Sequence, residues 1–118
     1  MKLVRDDVRL YLITGTVDMR MGIDGYIAVV QNRLHMNVFD NSIFLFCNKD
    51  HSKLKMLYWD STGFWLFYKR LEKGNHFKWI RDEENHSAAI TEEQYGWLMQ
   101  GLKIDQKRSI EAVSKKYA

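Results

Sequence analysis

Two stretches of equal length, Lys53 to Trp59 (KLKMLYW) and Phe64 to Arg70 (FWLFYKR), flank Asp60-Ser61-Thr62-Gly63. No other feature constrains the fold as much. Both runs are rich in aromatic and long apolar residues, which suit a pleated surface. An Asp opens a tight turn by accepting from the backbone, and a Gly supplies the positive φ that closes one. The segment therefore predicts an antiparallel hairpin. Side chains alternate along a strand, so Lys53, Lys55, Leu57 and Trp59 share one face while Leu54, Met56 and Tyr58 share the other. On the return, Phe64, Leu66, Tyr68 and Arg70 alternate with Trp65, Phe67, Lys69 and Leu71. Neither strand alternates cleanly between apolar and polar. Either helices bury both faces, or one face is an exposed aromatic patch rimmed by Lys and Arg.

The remaining elements follow from local pattern. Val8 to Thr14 (VRLYLIT) reads as a strand ended by Gly15. Ile23 to His35 reads as a helix, with Ile23, Ile27, Val30 and Leu34 on one face. Gly25 either costs that helix a little or lets it pack closely. Ile43 to Cys47 (IFLFC) is a continuous apolar run, the signature of a buried central strand. Gly74-Asn75 marks a turn, and His76 to Ile80 (HFKWI) a short strand. Thr91-Glu92-Glu93-Gln94 is a capping box. Its helix runs to about Gln100, with Gly101 as the stop. A last helix is expected from Asp105 to Ser114. The order β-α-β-β-β-β-α predicts an α+β fold of two layers: an antiparallel sheet of about four to five strands packed with two to three helices. Residues 1–103 form the expected single domain. Residues 104–118 form a basic tail, helical or partly disordered.

The chain has 118 residues, room for one domain. Its single cysteine, Cys47, excludes an internal disulfide and any paired-Cys metal site. A lone thiol beside six methionines suits a reducing compartment. The opening MKLVRDDVRLYL is broken by charges and does not read as a signal peptide. No apolar run approaches the roughly 20 residues of a membrane span. The cytoplasm is the expected location. The net charge of +3 resides in the segment from Lys103 onward, and the preceding body is neutral. Within that body the stretch Lys49 to Arg81 is rich in Lys and Arg, and Asp82-Glu83-Glu84 follows as an acidic counterweight. A basic segment on a neutral body points modestly to an anionic partner.

Catalytic patterns are missing. A metal-dependent nuclease needs convergent carboxylates, and Asp18, Asp24, Asp40, Asp50 and Asp60 show no distinctive spacing. The four histidines form no HxH or HxxxH pair. Cys47 closes an apolar strand, which favours a buried structural thiol over a nucleophile. There is no GxxxxGK[ST] phosphate loop. No catalytic residue, metal or cofactor is expected.

Other residues carry a resemblance. Ile13-Thr14-Gly15-x-x-Asp18-Met19-Arg20-x-Gly22-x-x-Gly25 resembles the opening motif of the second-frame accessory proteins (TnpB) of the bacterial insertion sequence sixty-six family. LYWDSTGFWLFYKRLEKGNHFKW, from Leu57 to Trp79, is similar to that family's signature stretch. Phe39 and Ile43 to Phe46 sit where the family has its aromatic strand, and TEEQYGWLMQG, from Thr91 to Gly101, resembles its closing helix. The likeness spans roughly Tyr11 to Lys103. It departs at three turn positions: Val38 before Phe39 and Ile80 after Trp79 replace prolines, and Asn41 replaces a glycine. Unrelated RNA-guided nucleases share the family's name; this chain is far too short to be one.

The resemblance implies a non-catalytic accessory protein of insertion-sequence transposition, acting beside a separate transposase that performs the chemistry. The expected partners are DNA at the transposon ends, the transposase, or both. Alternatives are a pure protein adaptor and a metal-dependent nuclease. The candidate contacts for DNA or partner are Arg20, Lys53, Lys55, Lys69, Arg70 and Lys73. Asp18, Trp59, Asp60, Tyr68 and Glu72 fall on motif positions of undetermined role.

Overall fold

A strand that is apolar at every position needs cover on both faces, and Ile43 to Cys47 is such a strand. The computed structural model describes residues 5–80 and 85–104 and puts that strand at the centre of a five-stranded sheet. In chain order the elements are β1 (Arg9–Thr16), α1 (Ile23–Ala28) with a π-helical continuation (Val29–Arg33), β2 (Ser42–Cys47), β3 (Lys53–Trp59), β4 (Phe64–Arg70), β5 (Ser87–Ile90) and α2 (Glu92–Met99). Across the sheet the order is β4-β3-β2-β1-β5. All six residues of β2 are buried. The β3–β4 hairpin is antiparallel as predicted, with Trp59 opposite Phe64 and Lys53 opposite Arg70.

The α+β architecture stands, and two particulars differ from expectation. The sheet is mixed, because β1 and β2 run parallel while the other neighbouring pairs are antiparallel. The connection from β1 to β2 travels through a helix, which returns the chain to its starting end, as a parallel pair requires. The cover is also two-sided rather than one-sided. Leu10, Leu12, Ile43, Leu45, Leu54 and Tyr58 pack with Phe77, Leu98 of α2 and Ile104. Ile13, Phe44, Phe46 and Leu57 pack on the opposite face with Tyr26 of α1, Val29 and Val30. The first is the α2 face of the sheet and the second its α1 face.

Four local expectations are corrected. His76 to Ile80 is not a strand. Phe77 is anchored by burial and by donating its N–H to the His51 carbonyl at 2.7 Å, and Trp79 by donating its indole N–H to the Ile13 carbonyl at 2.8 Å. The fifth strand is instead Ser87–Ile90, antiparallel to β1. Gly15 does not end β1. The strand continues to Thr16, with a register shift against β2 after Leu12, and a glycine inside a strand is suited to such an irregularity. The helix buries Tyr26, Val29 and Val30 and leaves Ile23 exposed. A π-helical segment breaks the 3.6-residue repeat on which the expected face relied.

Both ends of α2 follow the sequence. Thr91 Oγ1 accepts from Gln94 N–H at 3.0 Å, and Gln94 Oε1 accepts from Thr91 N–H at 2.9 Å. Gly101 takes the left-handed conformation at φ 81° that ends the helix. Ile104, at the start of the expected tail, is buried in the core. The rest of that tail and its expected helix lie outside the described residues. No helix among the described residues is long and apolar enough to cross a membrane.

Candidate functional site

The opening motif folds into a loop after β1 that is tied down at several points. The Arg20 backbone N–H and Nε donate to Asp18 Oδ1 at 2.8 and 3.0 Å, and Arg20 Nη2 donates to Asp18 Oδ2 at 2.8 Å. These bonds hold the Asp18 carboxyl at about 2, below its ordinary 3.8. The Arg20 side chain is nevertheless 90% exposed. Tyr26 donates its hydroxyl to the Asp18 carbonyl at 2.7 Å. Burial, with a smaller push from Asp18, raises the Tyr26 phenol to about 12. Gly25 is the close-packing glycine, since a Cβ there would lie 2.8 Å from Met21 Cβ.

Lys55 completes the loop. Its ammonium donates to the carbonyls of Met19 at 2.8 Å and Met21 at 3.2 Å. It also lies 5.5 Å from the ring centres of both Tyr26 and Tyr68. Lys55 is thus committed inside the molecule, as the clamp on either side of Arg20. Hydrogen bonds from a charged donor contribute roughly 1.5–3 kcal/mol when partly buried. Lys55→Met is expected to lower stability by about that amount and to release the Asp18–Met21 loop. Denaturant unfolding, with amide exchange of that loop, checks both.

On the same face Lys53 lies directly opposite Arg70 and Lys55 opposite Tyr68. Asp60 N–H donates to the Gly63 carbonyl and Leu71 N–H to the Ser52 carbonyl, which fixes the phase of the ladder. Lys53–Arg70 and Lys55–Tyr68 are therefore non-hydrogen-bonded pairs, whose side chains approach most closely. Arg70 pairs with Glu72 at 2.7 Å on the surface. Tyr68 is 53% exposed. Lys73 follows in an exposed turn, with φ 57°, beside Gly74 at φ 75°. Lys69 points to the α2 face, where its ammonium donates to the Met99 carbonyl at the end of α2 at 3.1 Å and lies 5.9 Å from the Phe77 ring. That is a helix C-terminal cation.

The six basic candidates thus divide. Arg20, Lys53, Lys55 and Arg70 gather on the α1 face, at the end of the sheet where β1 and β2 finish, with Lys73 just beyond. Lys69 is turned away from them. Sequence reasoning missed Tyr26, which buttresses the motif loop from below. Its only signal is an aromatic residue in the helix that follows the motif.

Asp60 stands at the other end of the hairpin. Its Oδ1 accepts from Thr62 N–H, Thr62 Oγ1 and Gly63 N–H, each at 2.9 Å, and its Oδ2 accepts from Trp65 Nε1 at 2.7 Å. These donors, Trp65 foremost, hold its carboxyl well below the usual range. The positive φ of this turn falls on Ser61, at 82°, and not on Gly63 as expected. Trp59 is half-buried, 5.0 Å from the exposed Phe39 ring and 4.8 Å from Phe64. A depressed native carboxyl binds its proton less readily than the same group in the unfolded chain. Its stabilisation is complete above about pH 4 and is lost as pH falls towards the native value. Acid titration should therefore weaken the fold from about pH 4 downward through the native value of Asp18, about 2. Asp60→Asn should flatten that dependence, as read by thermal melts across the acid range.

The arrangement does not build a two-metal centre from Asp18 and Asp60. Asp18 follows β1 at the Cys47–Leu54 end of the sheet, and Asp60 follows Trp59 at the other end. Six residue steps of about 3.4 Å from Leu54 to Asp60 put them on the order of 20 Å apart. No cluster of three or more His, Cys, Asp or Glu residues suited to a metal occurs among the described residues. Cys47 is buried, and burial pushes its thiol up to about 12.

Fold and surface together define a small α+β protein, helix-covered on both sheet faces, with charge gathered at one sheet end. The chain belongs to the family of IS66 Orf2-like proteins, whose profile matches residues 8–109. It is a transposition-associated accessory protein of that insertion-sequence family. It is similar to two uncharacterized proteins of Sinorhizobium fredii. One, y4hO, is 35% identical over 96 residues, covering 81% of this chain and 82% of the relative. The other, y4jC, is 32% identical over 96 residues, covering 80% of each. No solved structure matches the chain.

Proposed function

We propose that this protein assists insertion-sequence transposition without a catalytic centre of its own, by contacting the DNA of the element ends through the basic end of the α1 face. The observation that carries this reading is the Lys53–Arg70 pair. Two like charges directly opposite on neighbouring strands destabilise a sheet. Glu72 pairs with Arg70 and relieves part of that cost; a phosphate lying between Lys53 and Arg70 would relieve the rest and add a favourable contact. Arg20 stands exposed beside the Lys55 clamp, and Tyr68 offers an aromatic ring among the cations, the mixture used against nucleic-acid backbone and bases. Binding to duplex carrying the element ends should fall steeply with added salt. A fluorescence-anisotropy salt titration tests this, and an absence of binding at low salt removes the reading.

A second reading has its own observation. Phe39 is 52% exposed and packs edge-on against Trp59 at the far end of the same face. An aromatic knob of this kind suits docking on the separate transposase. Co-purification that withstands nuclease and salt and is lost in Phe39→Asp would support it. Two proteins that never associate when expressed together would remove it.

A further inference from the structure

Among the described residues β4 is an edge strand, with no strand paired to its outer side. The phase of the β3–β4 ladder directs the amides and carbonyls of Trp65, Phe67 and Lys69 towards β3. Those of Phe64, Leu66, Tyr68 and Arg70 therefore point outward. Among the described residues no backbone hydrogen bond is made by these four outward groups. The strand is seven residues long and contains no proline, glycine or bulge. Natural edge strands are normally blunted by such features or by charged side chains, and β4 carries its two cations, Lys69 and Arg70, only at its C-terminal end. A further strand can add here, and the sequence of β4 says which.

We infer that the occupant is a second copy of this chain, added antiparallel through β4 about a two-fold axis at Phe67. In that register Leu66 faces Tyr68 of the second copy, and Phe64 faces its Arg70. The four outward residues meet their own counterparts, so every open amide and carbonyl of the strand is paired. Phe67 meets Phe67 on the axis, and Trp65 meets Lys69. Both cations of the strand lie at its C-terminal end, and its large aromatics Phe64 and Trp65 at its start. Antiparallel pairing therefore places Arg70 opposite Phe64 of the other copy, a favourable cation–π arrangement, and lays the aliphatic stem of Lys69, whose ammonium is held by the Met99 carbonyl, beside Trp65. Parallel pairing would stack Lys69 on Lys69 and Arg70 on Arg70, which is repulsive. Registers displaced by two residues leave outward groups unpaired at both ends. Trp65 is 42% exposed and Tyr68 53% exposed in the single chain, and both lie beside the new strand. The product is a continuous ten-stranded sheet with the α1 faces of both copies on one side. This inference does not depend on DNA binding.

The test uses the full chain. Analytical ultracentrifugation across rising protein concentration should show the mass doubling. Hydrogen exchange should show the Leu66 and Tyr68 amides gaining protection in step with the dimer, while those of Trp65 and Phe67 are protected at every concentration. Leu66→Pro removes one outward N–H and spares the β3 ladder, and proline is tolerated on the open side of an edge strand. It should remain folded by circular dichroism and monomeric. A chain that stays monomeric at high concentration overturns the proposal. So does a dimer whose Leu66 and Tyr68 amides stay unprotected, or a folded Leu66→Pro that still dimerises. If Leu66→Pro fails to fold, the exchange pattern of the unmodified chain decides.

Discussion

Phe46→Ala is expected to lower the unfolding free energy by about 3–5 kcal/mol, the usual cost of removing a fully buried aromatic side chain. Phe46 is wholly buried in the central strand, and its ring lies 4.8 Å from that of Tyr26. The loss goes beyond a cavity. Tyr26 rests on Phe46 and donates to the Asp18 carbonyl, so the motif loop loses its support from below. A domain of this size has about 5–15 kcal/mol in total, and this variant should sit near the edge of folding at physiological temperature. Urea unfolding would show a lowered midpoint with an unchanged slope. Phe39→Ala is the matched control. That ring is half in solvent, and its removal should cost under about 1 kcal/mol. A Phe46→Ala cost as small as that would contradict the two-sided burial of β2.

What could be read from the sequence, and what could not, follows a physical division. The β3–β4 hairpin, the buried β2 and the Thr91 capping box depend on residues close together in the chain, and each appears where its local pattern puts it. The parallel β1–β2 pairing depends on which way a helix crosses the sheet, and no local pattern records that. β5 carries Ser87, Ala88 and Ala89, which have neither β-branched nor aromatic character, so the strand exists only because β1 offers an edge. His76 to Ile80 has the stronger strand signal and forms none, since Phe77 is held by burial and its bond to the His51 carbonyl and Trp79 by its indole N–H. The candidate site divides in the same way. Strand alternation puts Lys53 and Lys55 on one face of β3 and separates Arg70 from Lys69 on β4, and the register then brings Lys53 opposite Arg70. Lys55 and Lys69 looked equally free. Each spends its ammonium on carbonyls distant in sequence, Met19 and Met21 for one and Met99 for the other. A lysine's composition and spacing do not distinguish a surface charge from an internal clamp.

That division sharpens the test of DNA contact, because Lys53→Glu should move stability and binding in opposite directions. In the free protein the substitution replaces a like-charged cross-strand pair by an attractive one, a gain of at most about 0.2–1 kcal/mol because Arg70 already pairs with Glu72. Arg70 would then be drawn to the new carboxylate and lost, with position 53, as a phosphate contact. Each phosphate contact contributes roughly 0.9 to the slope of log affinity against log salt. Loss of two should reduce that slope by about 2, and near 0.1 M salt the affinity should fall about tenfold to a hundredfold. Simple unfolding cannot imitate this result, since the variant should melt no lower than the parent chain. Lys69→Glu is the contrasting case: it faces α2, and it should weaken the cap on that helix while leaving the salt slope unchanged. If Lys53→Glu binds element-end DNA with the parental slope, the Lys53–Arg70 row is not the DNA contact. The like-charged pair is then left to the partner-docking reading, in which an acidic surface of the transposase would take the place of the phosphate.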